Sequence, residues 1–180
     1  MARGYQIDRA WSDQFIPSIK NIVGPYLLVE SDEITDQQKA ADLIVFTGRN
    51  LTIAARVRSH EYFDRYPYDF TIRSERESGA RTELAKIVDG WGDWMFYGHQ
   101  LERANGLIRH WMIIDLKSWR AQMIRHRPKS PSDAFSQDRD NFDGTRFRVF
   151  DARKFGPQPP LLIASSFDIP GQTPSFGIAA

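Results

Sequence analysis

Residues 65–99 constrain the fold of this chain more than any other stretch, because aromatic and charged side chains are dense there together. A strand buried on both faces does not need so many charges, and a surface loop does not need so many rings. The stretch therefore predicts a strand, a turn and a helix whose polar edge lines a site. Its rings are Tyr66, Tyr68, Phe70, Trp91, Trp94, Phe96 and Tyr97, and its charges include Arg65, Asp69, Arg73, Glu75, Arg76, Arg81, Glu83, Lys86, Asp89 and Asp93.

Apolar residues alternate with polar ones over residues 51–58 and 68–73, which predicts two half-buried strands. A short apolar run at residues 42–47, opened by Asp42, predicts a third strand. Because the connections are short, we expect these three strands to be neighbours in one mixed sheet. We also expect strand 51–58 to pair with strand 42–47.

Apolar residues at three- and four-residue spacing predict helices over residues 8–27 and 80–90. Pro17 should kink or restart the first helix, and Gly90 and Gly92 should end the second. Together with the strands, these helices predict an α/β (α+β) fold in which a central mixed β-sheet is flanked by helices.

Residues 94–126 predict a hairpin followed by a helix. Strand-like runs at 94–101 and 107–115 flank an Asn-Gly pair, which is a strong hairpin signal. Asp115 can cap a helix over 116–125. Trp91 and Trp94 are interpreted as core residues rather than as a platform for base stacking.

The chain is expected to divide into a core and a less regular C-terminal part. Residues 1–126 form the predicted core, and residues 127–143 are predicted to be an exposed linker. Residues 144–165 are predicted to be an appended strand pair that completes a sheet, and residues 166–180 a loosely held tail.

Composition narrows the classes of function. The 180 residues suit one domain, and 24 Lys plus Arg against 23 Asp plus Glu give a net charge near zero, so nucleic-acid binding would need a local basic patch. The absence of Cys excludes disulfides and Cys-based sites. No apolar run approaches the roughly 20 residues of a membrane span, so we expect a cytoplasmic, soluble protein.

Up to residue 101 the predicted order is helix, strand, strand, strand, helix, strand. This order resembles the αβββαβ core of the PD-(D/E)XK superfamily, the restriction-endonuclease-like fold. Asp42 matches the aspartate that opens the second strand of that core. The next strand should carry a (D/E)-x-K tripeptide, but it contains Arg56-Val57-Arg58 instead. The motif is therefore degenerate, and a second carboxylate would have to come from Asp69 or Glu83.

The chain also resembles small uncharacterised proteins encoded in phages and prophages. The shared patterns are Asp42-Leu-Ile-Val, Phe70-Thr-Ile-Arg-Ser and Glu83-Leu-Ala-Lys-Ile. This second resemblance implies a phage context and no particular activity.

The nuclease resemblance implies a site for Mg²⁺ or Mn²⁺, because carboxylates are the ligands that hard divalent cations prefer. Asp42, Asp69 and Glu83 are the candidate metal ligands, and Lys86 could orient water or stabilise charge. The alternatives are structural: Glu83 and Lys86, at helical i, i+3 spacing, could form a surface ion pair. Asp42 could be a strand-edge or capping residue.

A set of arginines on adjacent predicted elements, interleaved with tyrosines, indicates nucleic-acid binding, since arginine binds phosphate in a bidentate manner and tyrosine stacks on bases. The alternative is a solvated face balanced by carboxylates, or arginines that point inward and are structural. The candidates are Arg56, Arg58, Arg73, Arg76, Arg81, Tyr66 and Tyr68.

These observations leave three hypotheses for the function. The first is a phage-related nucleic-acid-processing protein, a metal-dependent nuclease acting on DNA or RNA. The second is a non-catalytic binding protein on the same fold, for instance a phage factor that docks on a host nucleoprotein or protein complex. The third is a structural or assembly protein.

Overall fold

The computed structural model describes residues 10–30, 43–45, 51–75, 81–102, 106–126, 134–141 and 144–176. Within these ranges the protein has a mixed α+β architecture. Its strands are β1 Leu28–Glu30, β2 Leu43–Val45, β3 Ile53–Arg58, β4 Asp69–Glu75, β5 Trp94–Gln100, β6 Ile108–Asp115, β7 Ser136–Asp140, β8 Arg146–Asp151 and β9 Leu162–Ser165. Its helices are α1 Ile16–Val23, α2 Glu61–Arg65, α3 Glu83–Val88 and α4 Leu116–Arg125, with 3-10 turns at Gly24–Leu27 and Ala152–Lys154.

The larger sheet has four strands in the order β3-β5-β6-β9. β3 runs parallel to β5, and the other two pairs are antiparallel, so the sheet is mixed. β5 and β6 form the hairpin that the sequence predicts. A smaller antiparallel sheet has the order β4-β8-β7, and β1 pairs with β2 apart from both.

The four-stranded sheet separates two apolar clusters. On one face Phe15, Ile19 and Val23 of the first helical segment pack with Phe96 and Trp111. The cluster on the other face joins the four-stranded sheet to the three-stranded sheet and to α3 and α4. Its members include Phe70, Ile72, Ile87, Met95, Tyr97, Met112, Ile114, Trp119, Phe150 and Leu162. The protein is therefore layered, with α1 outside one sheet and the two sheets facing each other.

The predicted helices are confirmed with local changes. A helical turn at residues 10–13 stops at a turn, and α1 restarts at Ile16 with Pro17 in its first turn, where a proline costs little. Asp115 caps α4 by accepting hydrogen bonds from the backbone N–H groups of Lys117 and Ser118. Gly90 and Gly92 follow α3 with positive φ angles.

The predicted pairing of three neighbouring strands is wrong. β2 pairs with β1, β3 lies in the four-stranded sheet, and β4 lies in the three-stranded sheet. Alternation identifies the two faces of a strand, but it does not specify the neighbouring strand. Helix α2 stands between β3 and β4 and lets the chain pass from one sheet to the other.

Three further expectations for the C-terminal part are also corrected. Residues 136–140 of the predicted linker form an edge strand, in which every residue pairs with a residue of β8. The predicted strand pair is divided, since β8 is central in one sheet and β9 is the edge of the other. The tail is not loose over residues 166–176: Ile169 is buried, and the N–H groups of Ser175 and Phe176 donate to carbonyls of residues 162 and 163.

The interpretation of Trp91 as a core residue is wrong. Trp91 is 68% exposed, so it is not a core residue, whereas Trp94 packs against the cluster that contains Phe15. The left-handed backbone at Gly90 ends the helix before Trp91 can reach the core. Among the described residues, no helix is both long enough and apolar enough to cross a membrane.

Candidate anion-binding cleft

A cleft of about 580 Å³ opens where the edge of the four-stranded sheet meets the smaller sheet. β3 and β5 contribute Arg58, Tyr97 and His99, and β4 and β8 contribute carboxylates and apolar residues. The segment after α2 contributes Tyr66 and Tyr68. We call it the Arg58 cleft. Its volume lies in the usual range for a small-molecule site.

Four residues from the predicted site converge on this cleft: Arg58, Tyr66, Tyr68 and Asp69. Tyr66 is 51% exposed, which leaves much of its ring open to solvent. Tyr68 lies beneath the guanidinium of Arg153, whose central carbon is 4.6 Å from the ring centroid. The predicted set of arginines and tyrosines therefore includes residues that line the Arg58 cleft, although the members of that set lie on several predicted elements.

Arg58 is held by aromatic rings. Its guanidinium carbon is 4.9 Å from the ring centroid of Tyr62 and 5.3 Å from that of Phe147. Its Nε is buried without a hydrogen-bond partner among the described residues. Cation–π contacts fix the guanidinium without consuming its N–H donors, so Arg58 remains able to bind an anion.

Two carboxylates face each other across β4 and β8, where Asp69 pairs in register with Asp151. Burial, with the nearby charge of Asp151, raises the pKa of Asp69 to about 6, although Arg153 opposes the shift. Arg153 Nη2 donates to Asp151 at 2.8 Å. Asp69 therefore lies beside a carboxylate that already has its own arginine.

His99 lies in the wall of the cleft and is only 2% exposed. Burial lowers the pKa of His99 to about 4, and the neighbouring positive charges of His110 and Arg58 add to the shift. Its Nδ1 is buried and has no hydrogen-bond partner in the described part of the chain. Beside it, the hydroxyls of Thr71 and Tyr97 are 3.4 Å apart. At neutral pH His99 is thus a neutral imidazole with an unused ring nitrogen.

Arg56 and Glu83 form an ion pair that connects three elements. Arg56 Nη1 donates to Glu83 Oε2 at 3.2 Å and to the carbonyl of Thr71 at 3.0 Å. The same carboxylate oxygen accepts from the backbone N–H of Arg73 at 3.2 Å. Burial lowers the pKa of Arg56, and the charge of Glu83 opposes that shift. This pair links β3, β4 and α3, which is a structural role, and neither residue lines the Arg58 cleft.

The remaining predicted site residues lie elsewhere. The side chain of Lys86 is exposed on α3, and Arg81 forms an ion pair with Asp89 across the same helix. Arg73 lies on β4 and does not line the cleft. Asp42 and Arg76 are outside the described residues, so their predicted roles stay predictions.

The predicted metal ligands are not brought together as far as the structure describes them. Glu83 is bonded to Arg56, whereas Asp69 lies among Asp151, Arg153 and Arg139. Among the described residues, no group of three His, Cys, Asp or Glu side chains could hold a metal ion. The site for Mg²⁺ or Mn²⁺ remains a prediction that depends on Asp42.

Several residues of the cleft could not be predicted from the sequence. His99 and Tyr97 alternate on β5, but a lone histidine without ligand spacing carries no specific signal. Phe147 and Asp151 lie on a strand that the sequence predicts, but the sequence does not show which strands pair with it. Arg139 fell in the predicted linker. Only the charged run at residues 151–154, Asp-Ala-Arg-Lys, could have drawn attention.

Comparisons with protein-family models, with curated proteins and with solved structures found no match for this chain. The chemistry of the Arg58 cleft is therefore the basis for a functional proposal.

Proposed function

We propose that this protein binds single-stranded nucleic acid in the Arg58 cleft and does not cleave it. The observation that carries the proposal is the convergence of cationic and aromatic side chains on one concavity. The cationic residues are Arg58, Arg65, Arg139, Arg153 and Lys154, and the rings are Tyr62, Tyr66, Tyr68, Tyr97, Phe135 and Phe147. Cations suit phosphates, and the exposed rings of Tyr62 and Tyr66 suit the faces of unpaired bases, which a duplex does not offer.

The charge balance of the cleft supports an anionic ligand. Five cationic side chains lie there with three carboxylates, Asp69, Asp140 and Asp151. Asp140 accepts from Arg146 Nε at 2.7 Å, and Arg146 lies outside the cleft. Asp151 is bonded to Arg153. The lining residues therefore carry more positive than negative charges, although the whole chain carries a net charge near zero.

A metal-dependent nuclease is the competing hypothesis. A restriction-endonuclease-like core with Mg²⁺ or Mn²⁺ would require Asp42 and a second carboxylate. Glu83 could serve only by leaving Arg56, which would strand a largely buried guanidinium without its counter-charge. That cost disfavours Glu83 as a metal ligand, and the positive charges of Arg153 and Arg139 near Asp69 disfavour a second cation there, so binding is favoured over cleavage. A phage origin is compatible with both hypotheses. The binding experiment below distinguishes a nucleic-acid partner from a host protein complex.

The test is fluorescence anisotropy with labelled single-stranded DNA, single-stranded RNA and duplex DNA of equal length, over a range of salt concentrations. We expect the single strands to bind more tightly than the duplex. The logarithm of their affinity should fall linearly with the logarithm of salt concentration, with a slope of about −0.7 per phosphate neutralised. Arg58→Ala and Tyr66→Ala should each weaken binding, and only Arg58→Ala should reduce the slope.

Two exposed residues outside the cleft provide matched controls. Lys86→Ala removes one positive charge and Trp91→Ala removes one exposed ring, and both should leave binding unchanged. Undetectable binding of every nucleic acid at low salt would contradict the proposal and leave a protein partner as the better hypothesis. Cleavage that requires Mg²⁺ or Mn²⁺ and is lost in Asp42→Ala would favour the nuclease.

A further inference from the structure

Two residues that line the Arg58 cleft each have a buried nitrogen atom with no hydrogen-bond partner among the described residues. The described part of the chain has four buried side-chain polar atoms without a hydrogen-bond partner, and two of them belong to Arg58 and His99. Both residues line the cleft, whereas Ser74 and Trp119, which hold the other two atoms, do not. Native proteins leave few such atoms unpaired, and a bound ligand is one standard reason.

The groups around these two nitrogens are suited to a tetrahedral oxyanion. Arg58 offers a planar fork of N–H donors, which matches two oxygens of a phosphate. Thr71 and Tyr97 add hydroxyls that can donate, and the neutral His99 ring can donate from one nitrogen. The Glu83 carboxylate is already bonded to Arg56, so it does not compete with a bound anion for the donors of Arg58.

The two ends of the cleft differ in character. Arg58 lies against the ring of Phe147, and Asp69 pairs with Asp151 at the other end of the same pair of strands. Phe147 and Asp151 are four residues apart on β8, which corresponds to roughly 13 Å along a strand. Tyr68 immediately precedes Asp69. One end therefore offers the donors of Arg58 and His99 to a phosphate. The other end offers the Asp69 and Asp151 carboxylates to a sugar hydroxyl, beside Arg153, which already covers the Tyr68 ring and is bonded to Asp151.

We propose that the donors of Arg58 and His99 form a subsite for a terminal phosphomonoester, so that the cleft takes the phosphorylated end of a single strand or a nucleoside monophosphate. This inference rests on the proposed function, because the phosphomonoester is the part of the proposed nucleic-acid ligand that would contact Arg58 and His99. An internal phosphodiester has two ester bonds, so the strand extends from it on both sides. A phosphomonoester has one ester bond and three oxygens that can face the protein, so it can enter a recess whose His99 is almost wholly buried.

The experiment compares one labelled single strand in three forms, with a 5′-phosphate, with a 3′-phosphate or with hydroxyl ends only. Unlabelled nucleoside monophosphate, the matching nucleoside and inorganic phosphate serve as competitors. We expect one phosphorylated form to bind at least about tenfold more tightly than the hydroxyl form, since it gains charge-assisted hydrogen bonds. The nucleoside monophosphate and inorganic phosphate should compete, and the nucleoside should not.

Variants test the residues that carry the inference. Arg58→Lys keeps the charge but loses the fork, and His99→Gln removes the imidazole; both should reduce the preference for the phosphorylated end. Arg139→Lys is the matched control on the edge strand β7, and it should preserve the preference even if it lowers the affinity for all three forms. Where a variant fails to fold, nuclear magnetic resonance of the wild-type His99 ring provides the test, because a bound phosphomonoester should shift its signals.

The outcomes separate this inference from the proposed function. Equal binding of all three strands, with His99 signals unchanged, would overturn the phosphomonoester subsite and leave nucleic-acid binding intact. Binding of nucleoside monophosphate without binding of any strand would support the subsite and overturn the function on polymers. If neither strand nor nucleotide binds, both proposals are wrong.

Discussion

Arg56 and Arg58 lie two residues apart on β3, and their surroundings give them different roles. The guanidinium of Arg56 is bonded to a carboxylate and to a backbone carbonyl, so its donors serve the fold. The guanidinium of Arg58 lies against two aromatic rings, which hold it in place and leave its donors available. The partners of each side chain, rather than its residue type, therefore determine which arginine can bind an external anion.

His99 should make the protein sensitive to acid. Burial lowers the pKa of His99 to about 4 from an ordinary value of 6.5. Between these two pH values the unfolded chain binds a proton that the native chain rejects, so the free energy of unfolding falls as the pH drops. We expect thermal unfolding of His99→Gln from pH 8 to pH 4 to show a smaller loss of melting temperature than the wild type shows.

The comparison depends on the slope of melting temperature against pH, because glutamine in place of His99 can change the stability at every pH. His60→Gln is a matched control on a histidine that is less buried, and it should retain the acid sensitivity of the wild type. Equal slopes for His99→Gln and the wild type would mean that His99 titrates normally.

The composition of the site was partly predictable from residue types. Tyr66, Tyr68 and Asp69 were identified because charges and rings are dense in residues 65–99, and Arg58 because it belongs to a set of arginines on adjacent predicted elements. The role of Arg56 was not predictable in this way, because its partner Glu83 is 27 positions away and only the fold brings the two residues together. Buried donors such as His99 Nδ1 depend on three-dimensional packing, and no spacing in the sequence encodes them.

At the scale of elements, β7 shows why a strand can be missed. Its sequence, Ser-Gln-Asp-Arg-Asp, has no apolar alternation, so it resembles a linker. Pairing with β8 satisfies its backbone, and Arg148 donates to the Asp138 carboxylate at 2.9 and 3.0 Å across the two strands. By contrast, the hairpin and the helix α4 were predictable, because Asn-Gly and a capping aspartate are local signals.

Two aspartates in these elements should differ in their importance. Asp115 caps α4 by accepting from two backbone N–H groups that otherwise lack partners, so Asp115→Ala should cost about 1 kcal/mol. Asp138 pairs with Arg148 on an exposed surface, and Asp138→Ala should cost at most about half as much. Chemical denaturation of both variants provides the measurement. A larger loss for Asp138→Ala would mean that β7 depends on this ion pair.

At the scale of the whole molecule, the C-terminal third completes both sheets. β8 is the central strand of the smaller sheet, and β9 is the edge of the larger one. The sequence located both strands but could not show that they belong to different sheets, because a short apolar run does not indicate its partner. The consequence for function is direct, since β7, β8 and the turn after β8 supply one side of the Arg58 cleft.

The segment after β9 is the last part of this architecture, and its contribution can be measured with one pair of matched variants. Ile169 is 2% exposed and belongs to the cluster between the two sheets, whereas Ile124 on α4 is 82% exposed. Ile169→Ala should lower the free energy of unfolding by about 2–5 kcal/mol, because it removes buried methylenes and leaves a cavity. Ile124→Ala should change it by no more than about 0.5 kcal/mol. Thermal and denaturant unfolding would show this difference, and equal small effects would mean that residues 166–176 are as loosely held as the sequence alone suggests.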